Sequence, residues 1–204
     1  MLKKIYLLIQ TIIYLLFIYA DFNGINSSLI KYSGIIINFI FSIYLYIKKD
    51  IDDILLPLAL ILTAIADYFL LIKDNNYQWG ILCFCLVQTI YAYKIDKLKS
   101  IPIRILFLII CILILKISNQ SFNLTNILAT YSIANLTLNV IISFIKNKNM
   151  FSIALLLFWL CDINVGIYNL QIKYIYPIAG MLMWIFYFPS QILLTISGGS
   201  YEKK

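Results

Sequence analysis

Long apolar runs, separated by short polar or charged segments, follow one another along the whole chain. The runs are continuous rather than alternating, which favours helices over the strands of a membrane barrel. Most have the roughly 17–25 residues that a helix needs to cross a bilayer. The pattern predicts eight transmembrane helices at residues 5–20, 29–47, 54–72, 78–93, 102–117, 124–145, 150–170 and 174–196. We therefore expect an all-α, polytopic membrane protein with a single transmembrane domain over residues 1–204.

The basic residues are unevenly divided between the two sides that eight spans create. The side with both termini and the even-numbered loops carries 12 of the 16 Lys and Arg residues. The positive-inside rule then places both termini in the cytoplasm. The net charge of +7 is explained by contact with anionic lipid and requires no nucleic-acid partner. Lys3 and Lys4 before an apolar run also fit a signal peptide, but the even parity of the charge pattern favours a retained first helix.

Composition narrows the class of protein and the chemistry open to it. The chain is 63% hydrophobic and 12% charged, whereas a soluble domain is about half apolar and about a quarter charged. Abundant Ile, Lys, Asn and Tyr indicate an AT-rich bacterial genome, and hence a plasma membrane. The absence of histidine excludes Ser-His-Asp catalysis and histidine metal sites. All four cysteines lie inside apolar runs, and we predict neither a metal nor a cofactor.

Two aspartates lie well inside predicted helices, whereas the other acidic residues are expected in loops and tails. Asp67 and Asp162 each follow an alanine by eight residues, and each lies about 13 residues, or ~20 Å, past its helix entry. An intramembrane carboxylate costs a few kcal/mol and is a candidate functional group. Two carboxyls at one depth predict a pair in which one acts as acid and the other as base. The alternative is that each aspartate only forms a hydrogen bond to a neighbouring helix and thereby fixes the helix packing.

The helix after each aspartate carries an aromatic residue and an amide. These are Gln88 with Tyr91, and Tyr187 with Gln191. The recurrence predicts a parallel internal duplication of a four-helix unit.

Two further amides recur on one face of the sixth predicted helix. Asn135 and Asn139 are four residues apart. They either line a cavity or form interhelical hydrogen bonds.

A set of short motifs resembles the lysoplasmalogenase, or YhhN-like, family of membrane proteins. The order and spacing match over most of the chain, with Tyr32, Ala66, Gln88 and Cys161 where the family pattern has Pro, Gly, His and Ser. The matching segments are Lys31-Tyr32, Ala66-Asp67, Phe84 to Tyr91, Phe158 to Asp162, and Tyr187 to Gln191.

The resemblance implies cleavage of the vinyl-ether bond of lysoplasmalogens to a fatty aldehyde and a glycerophospho-headgroup. It implies that Asp67 and Asp162 are catalytic and that a lysophospholipid in the membrane is the substrate. The substrate-binding residues that it implies are Lys31, Gln88, Tyr91, Tyr187 and Gln191. Lys31 is expected at headgroup level, either meeting the phosphate or only snorkelling to the interface.

A transporter or lipid-binding protein without hydrolase activity is the alternative function. Parallel repeats with acidic residues deep in the membrane are also found in proton-coupled carriers.

Overall fold

The computed structural model describes residues 2–51, 53–73, 75–117, 122–146, 148–169 and 175–197. Within this part the regular structure is entirely helical, and one helix occupies each predicted span. The helices are α1 Leu2–Phe22, α2 Ser28–Ile47, α3 Leu55–Asp67, α4 Tyr77–Asp96, α5 Ile101–Ile117, α6 Leu124–Lys146, α7 Met150–Asn169 and α8 Tyr176–Ser197. A π-helical turn, Tyr68–Ile72, continues directly from α3.

Two acidic residues that were expected in loops belong to helices. Asp21 lies in the last turn of α1, because α1 extends two residues beyond the predicted boundary. Asp96 is the last residue of α4. The apolar run alone placed these boundaries too early, because polar residues can continue a helix by one turn after its apolar stretch ends.

Six of the helical segments are long and apolar enough to cross a membrane, which makes the chain a multi-pass membrane protein. They are α1, α2, α3 with its π-helical turn, α6, α7 and α8. The segment α5 has only 17 residues, and α4 ends in polar residues that include Lys94 and Asp96.

Consecutive helices are joined by few residues, which makes neighbours antiparallel. Odd-numbered helices start, and even-numbered helices finish, at one end of the bundle, which we call the basic end. The opposite end is called the distal end. The distal end holds Lys31, Lys73 and Lys116. The basic end holds the other described basic residues: Lys3, Lys4, Lys48, Lys49, Lys94, Lys97, Lys99, Arg104, Lys146 and Lys148.

Helices α3, α4, α6, α7 and α8 surround the largest buried apolar cluster. Helix α2 bridges α3 and α8, while α1 packs on α2 and α8. Many Leu and Ile side chains of the outward faces are exposed, as expected of surfaces that contact lipid.

Arg104 attaches the peripheral helix α5 to the bundle. It is the one buried residue of α5, and its Nε donates to Ser100 Oγ at 2.7 Å. Its Nη1 donates to Asn135 Oδ1 at 3.2 Å, and its Nη2 lies 4.0 Å from an Asp96 oxygen. Asn135 therefore forms an interhelical bond, the second of the two roles predicted for it.

Candidate functional site

A carboxyl–phenol pair lies inside the bundle where α3 meets α8. The Tyr187 hydroxyl donates to Asp67 Oδ2 at 2.6 Å. Both residues are only 4% exposed, so the bond is shielded from solvent and lipid. Because 120 residues separate the partners along the chain, the pair forms only when the folded bundle brings α3 and α8 together.

Asp162 of α7 lies at the same depth as this pair. Asp67 and Asp162 each lie twelve residues past the first residue of their helices, so the depth expected from the sequence is shared. Their carboxyl groups are close enough to interact electrostatically. Asp162 is partly exposed, whereas Asp67 is buried, so Asp162 is the more accessible of the two.

Aromatic rings fix the position of the Tyr187 hydroxyl. The Tyr187 ring lies edge-on to Trp184 at 5.2 Å, to Phe158 at 5.5 Å and to Phe84 at 6.3 Å between centroids. Phe84 and Phe158 also contact one another at 5.6 Å. Edge-to-face contacts of this kind are each worth about 0.5–1.5 kcal/mol beyond area burial, and together they restrict the phenol.

The backbone changes from α-helical to π-helical immediately after Asp67. The π-turn Tyr68–Ile72 is the distal continuation of α3. Single π-turns inside helices occur often at functional sites, because they redirect side chains out of the α-helical register. Gly80 of α4 allows close approach here, since a Cβ on it would meet Leu70 Cγ at 2.6 Å and the Ala66 carbonyl oxygen at 3.0 Å.

Three predicted substrate-binding residues are fully buried on the basic-end side of the pair. Gln191 follows Tyr187 by one turn, and its Nε2 donates to Ser190 Oγ at 3.3 Å. The Tyr91 ring lies edge-on to the Phe151 ring, with 5.6 Å between centroids. These residues line the interior rather than the membrane face of the bundle.

Gln88, the third of them, is joined to α6. Asn139 Nδ2 donates both to the Gln88 carbonyl oxygen at 3.0 Å and to Gln88 Oε1 at 3.1 Å. Asn139 therefore forms interhelical hydrogen bonds between α6 and α4, which is one of the two roles predicted for it.

Lys31 lies apart from the other predicted residues, at the distal end. Its Nζ lies 2.8 Å from Asp21 Oδ2. The same Nζ lies over two aromatic rings, 5.0 Å from the centroid of Trp184 and 5.5 Å from the centroid of Phe17. Lys31 is 8% exposed as a residue and forms a largely buried ion pair with Asp21. Trp184 links it to Tyr187 through an edge-to-face ring contact.

Sequence reasoning missed Thr63, which lies one turn before Asp67 on α3 and is fully buried. Its spacing of four residues from Asp67 was the signal that places it on the same helix face. Trp184 was also missed, although it lies three residues before Tyr187 on α8.

A groove opens at the distal end, beyond the π-turn. It has a volume of about 430 Å³ and is lined by Asn26, Ser28, Leu29, Leu71 and Ile72. The lining combines polar and apolar side chains near the distal ends of the helices.

Within the described residues, no three His, Cys, Asp or Glu side chains are grouped as metal ligands are. No protein-family model, no curated protein and no solved structure matches this chain.

Proposed function

We propose that the chain is a membrane-embedded hydrolase that cleaves the vinyl-ether bond of a lysoplasmalogen. The observation that carries the proposal is the Tyr187–Asp67 hydrogen bond beside Asp162, deep in an apolar bundle. Two carboxyls with different surroundings are the arrangement by which enzymes separate an acid from a base. A purely structural aspartate would not need a second carboxyl at the same depth.

The reaction requires one proton donor, one water molecule and a group that stabilises positive charge. Protonation of the vinyl-ether β-carbon breaks the C=C π-bond and leaves an oxocarbenium ion. Water adds to the cationic carbon and loses a proton to the base. The resulting hemiacetal then splits into a fatty aldehyde and the free sn-1 hydroxyl of the glycerophospho-headgroup. A carboxylate beside the cation acts as it does in glycosidases.

The surroundings of the two carboxyls support one assignment of the two roles. Asp67 accepts the Tyr187 hydrogen bond and is buried, so it stabilises the cation and takes the proton from water. Asp162 is more open and lies near enough to share the site, so it delivers the proton to carbon. When the hemiacetal collapses, protonated Asp67 delivers its proton to the leaving sn-1 oxygen, and Asp162 takes the proton of the hemiacetal hydroxyl. Both carboxyls are then back in their starting states.

The proposed membrane placement follows from the helix directions and charges. All eight helices span the plasma membrane, with the basic end in the cytoplasm. In a parallel duplication, helices α1–α4 correspond to helices α5–α8. The contact of α2 with α8 then corresponds to the contact of α6 with α4, and both contacts are present. The substrate headgroup then occupies the distal groove in the outer leaflet, with its chain directed towards Asp162.

Aldehyde release from 1-alkenyl lysophosphatidylethanolamine by the purified, detergent-solubilised protein tests this function. Aldehyde release in proportion to the enzyme concentration supports the hydrolase function. The matched 1-acyl lysolipid, which has no vinyl-ether bond, should yield no aldehyde. Well-folded protein that releases none contradicts it. Proton-coupled uptake into vesicles would in that case indicate the transporter.

Replacing Tyr187 with phenylalanine should lower kcat by about 10-fold or more. Asp67 would lose the one side-chain hydrogen bond found for it among the described residues, whereas the edge-to-face contact with Trp184 would remain. Steady-state aldehyde release measures the change. Tyr14→Phe is the matched control, since the one hydrogen bond of the Tyr14 hydroxyl found among the described residues is donated to the Ile185 carbonyl oxygen, at 3.3 Å. Equal turnover by the two variants would remove Tyr187 from the mechanism.

A further inference from the structure

Five fully buried polar side chains lie between the Asp67–Tyr187 pair and the basic end. They come from four different helices, and we call them the polar column. Its members are Thr63 of α3, Gln88 and Tyr91 of α4, Asn139 of α6 and Gln191 of α8.

Counting residues along each helix from the basic end gives the depth of every member. Asp67 and Tyr187 lie twelve and ten residues from that end. Thr63 and Gln88 lie eight residues from it, Asn139 seven, Gln191 six and Tyr91 five. At 1.5 Å per residue, the column starts about one turn below the reactive pair and covers roughly another turn.

Every member of the column has one buried polar atom without a hydrogen-bond partner among the described residues. The atoms are Thr63 Oγ1, Gln88 Nε2, Tyr91 OH, Asn139 Oδ1 and Gln191 Oε1. Exchanging the amide ends of Gln88 and Asn139 does not remove the deficit. It would preserve the bond between the two side chains but bring an oxygen against the Gln88 carbonyl.

Leaving one such atom unsatisfied in an apolar interior costs about 1–3 kcal/mol. Five unsatisfied atoms at similar depths in one bundle would use up a large part of the stability of a domain. Internal water, with two to four hydrogen bonds per molecule, is the usual partner of buried polar groups. The set includes donors, acceptors and two hydroxyls that serve as either, which suits bound water.

We propose that the polar column holds a chain of water molecules that reaches the Asp67–Asp162 site from the basic end. Lys94, three residues beyond Tyr91, marks the mouth of this route, where its Nζ lies 2.6 Å from Asp53 Oδ2. The use of this water as a reactant rests on the proposed hydrolase function, whereas the water chain itself does not. Lipid and water thus approach the aspartates from opposite ends of the bundle.

X-ray hydroxyl-radical footprinting of the detergent-solubilised protein tests the water chain without reference to activity. Radiolysis of bound water adds oxygen to adjacent side chains, even when these are closed to bulk solvent. We expect Tyr91 to be oxidised several-fold faster than Phe17, after correction for intrinsic ring reactivity. Phe17 is the matched control because it is equally buried but packs among aromatic rings.

Two variants test whether the column holds this water. Thr63→Val and Gln191→Leu each remove one polar group while keeping a similar shape, and each should slow Tyr91 oxidation towards the Phe17 rate. Folding is checked by gel filtration and an unchanged oxidation pattern elsewhere. Tyr91 oxidation as slow as that of Phe17 in the parent, or unchanged in both folded variants, would overturn the proposal.

Turnover separates the two proposals. In a protein that releases aldehyde, Thr63→Val should lower kcat about tenfold with KM unchanged, because water supply and not lipid binding is affected. Rapid Tyr91 oxidation without aldehyde release would retain the water chain and reject the hydrolase. Aldehyde release by a protein in which Tyr91 is not oxidised would retain the hydrolase and reject the water chain.

Discussion

Asparagine in place of Asp162 should abolish aldehyde release, lowering kcat by about 10²–10⁴. Asparagine has nearly the same shape but no acidic proton to deliver to the vinyl-ether carbon. Because Asp162 is only partly buried and no hydrogen bond to it is found among the described residues, the variant should fold and enter the membrane normally. Aldehyde release and gel filtration of the purified variant measure the two effects.

Asp50→Asn is the control, since Asp50 is an exposed carboxylate at the basic end, outside the bundle interior. It should leave turnover unchanged. Asp67→Asn should also inactivate, because an amide cannot stabilise the oxocarbenium ion as a carboxylate does. Retained turnover in the Asp162 variant would transfer the role of acid to another group, and retained turnover in both variants would end the two-carboxylate mechanism.

The helices were predictable from the sequence because apolar length and charge placement act locally along the chain. Each predicted run contains one helix, and the equal depth of Asp67 and Asp162 follows from their equal distance from their helix starts. That the two carboxyls act as a pair stays a prediction, based on the preference of intramembrane carboxyls for the bundle interior over lipid. The chemical roles of these residues stay predictions.

The partners of the polar side chains were not predictable, because they depend on how each helix is rotated against its neighbours. Nothing local indicates that Tyr187 donates to Asp67, or that Lys31 pairs with Asp21. The second pair was hidden further by the assignment of Asp21 to a loop. Residue spacing gives the face of one helix. It does not give the face that the next helix presents.

Alanine in place of Gly34 should destabilise the protein by about 1–3 kcal/mol. A Cβ at this position of α2 would lie 2.4 Å from two ring carbons of Phe188 on α8, and 3.2 Å from Gln10 Oε1. The Phe188 ring is fully buried and packs against Phe17 at 5.1 Å, so it has little space in which to withdraw. Thermal unfolding in detergent, followed by circular dichroism, measures the loss.

Gly166→Ala provides the matched control, because a Cβ on this α7 residue would meet nothing within 4 Å. Alanine is the better helix former by about 1 kcal/mol, so that variant should unfold at an equal or higher temperature. Gly34→Ala should in addition lower aldehyde release, because Phe188 adjoins Tyr187 and any shift of α8 lengthens the bond to Asp67. Equal unfolding temperatures for the two alanine variants would show that α2 and α8 can separate slightly at little cost in stability. The position of Tyr187 would then depend on its aromatic neighbours Phe84, Phe158 and Trp184 rather than on α2.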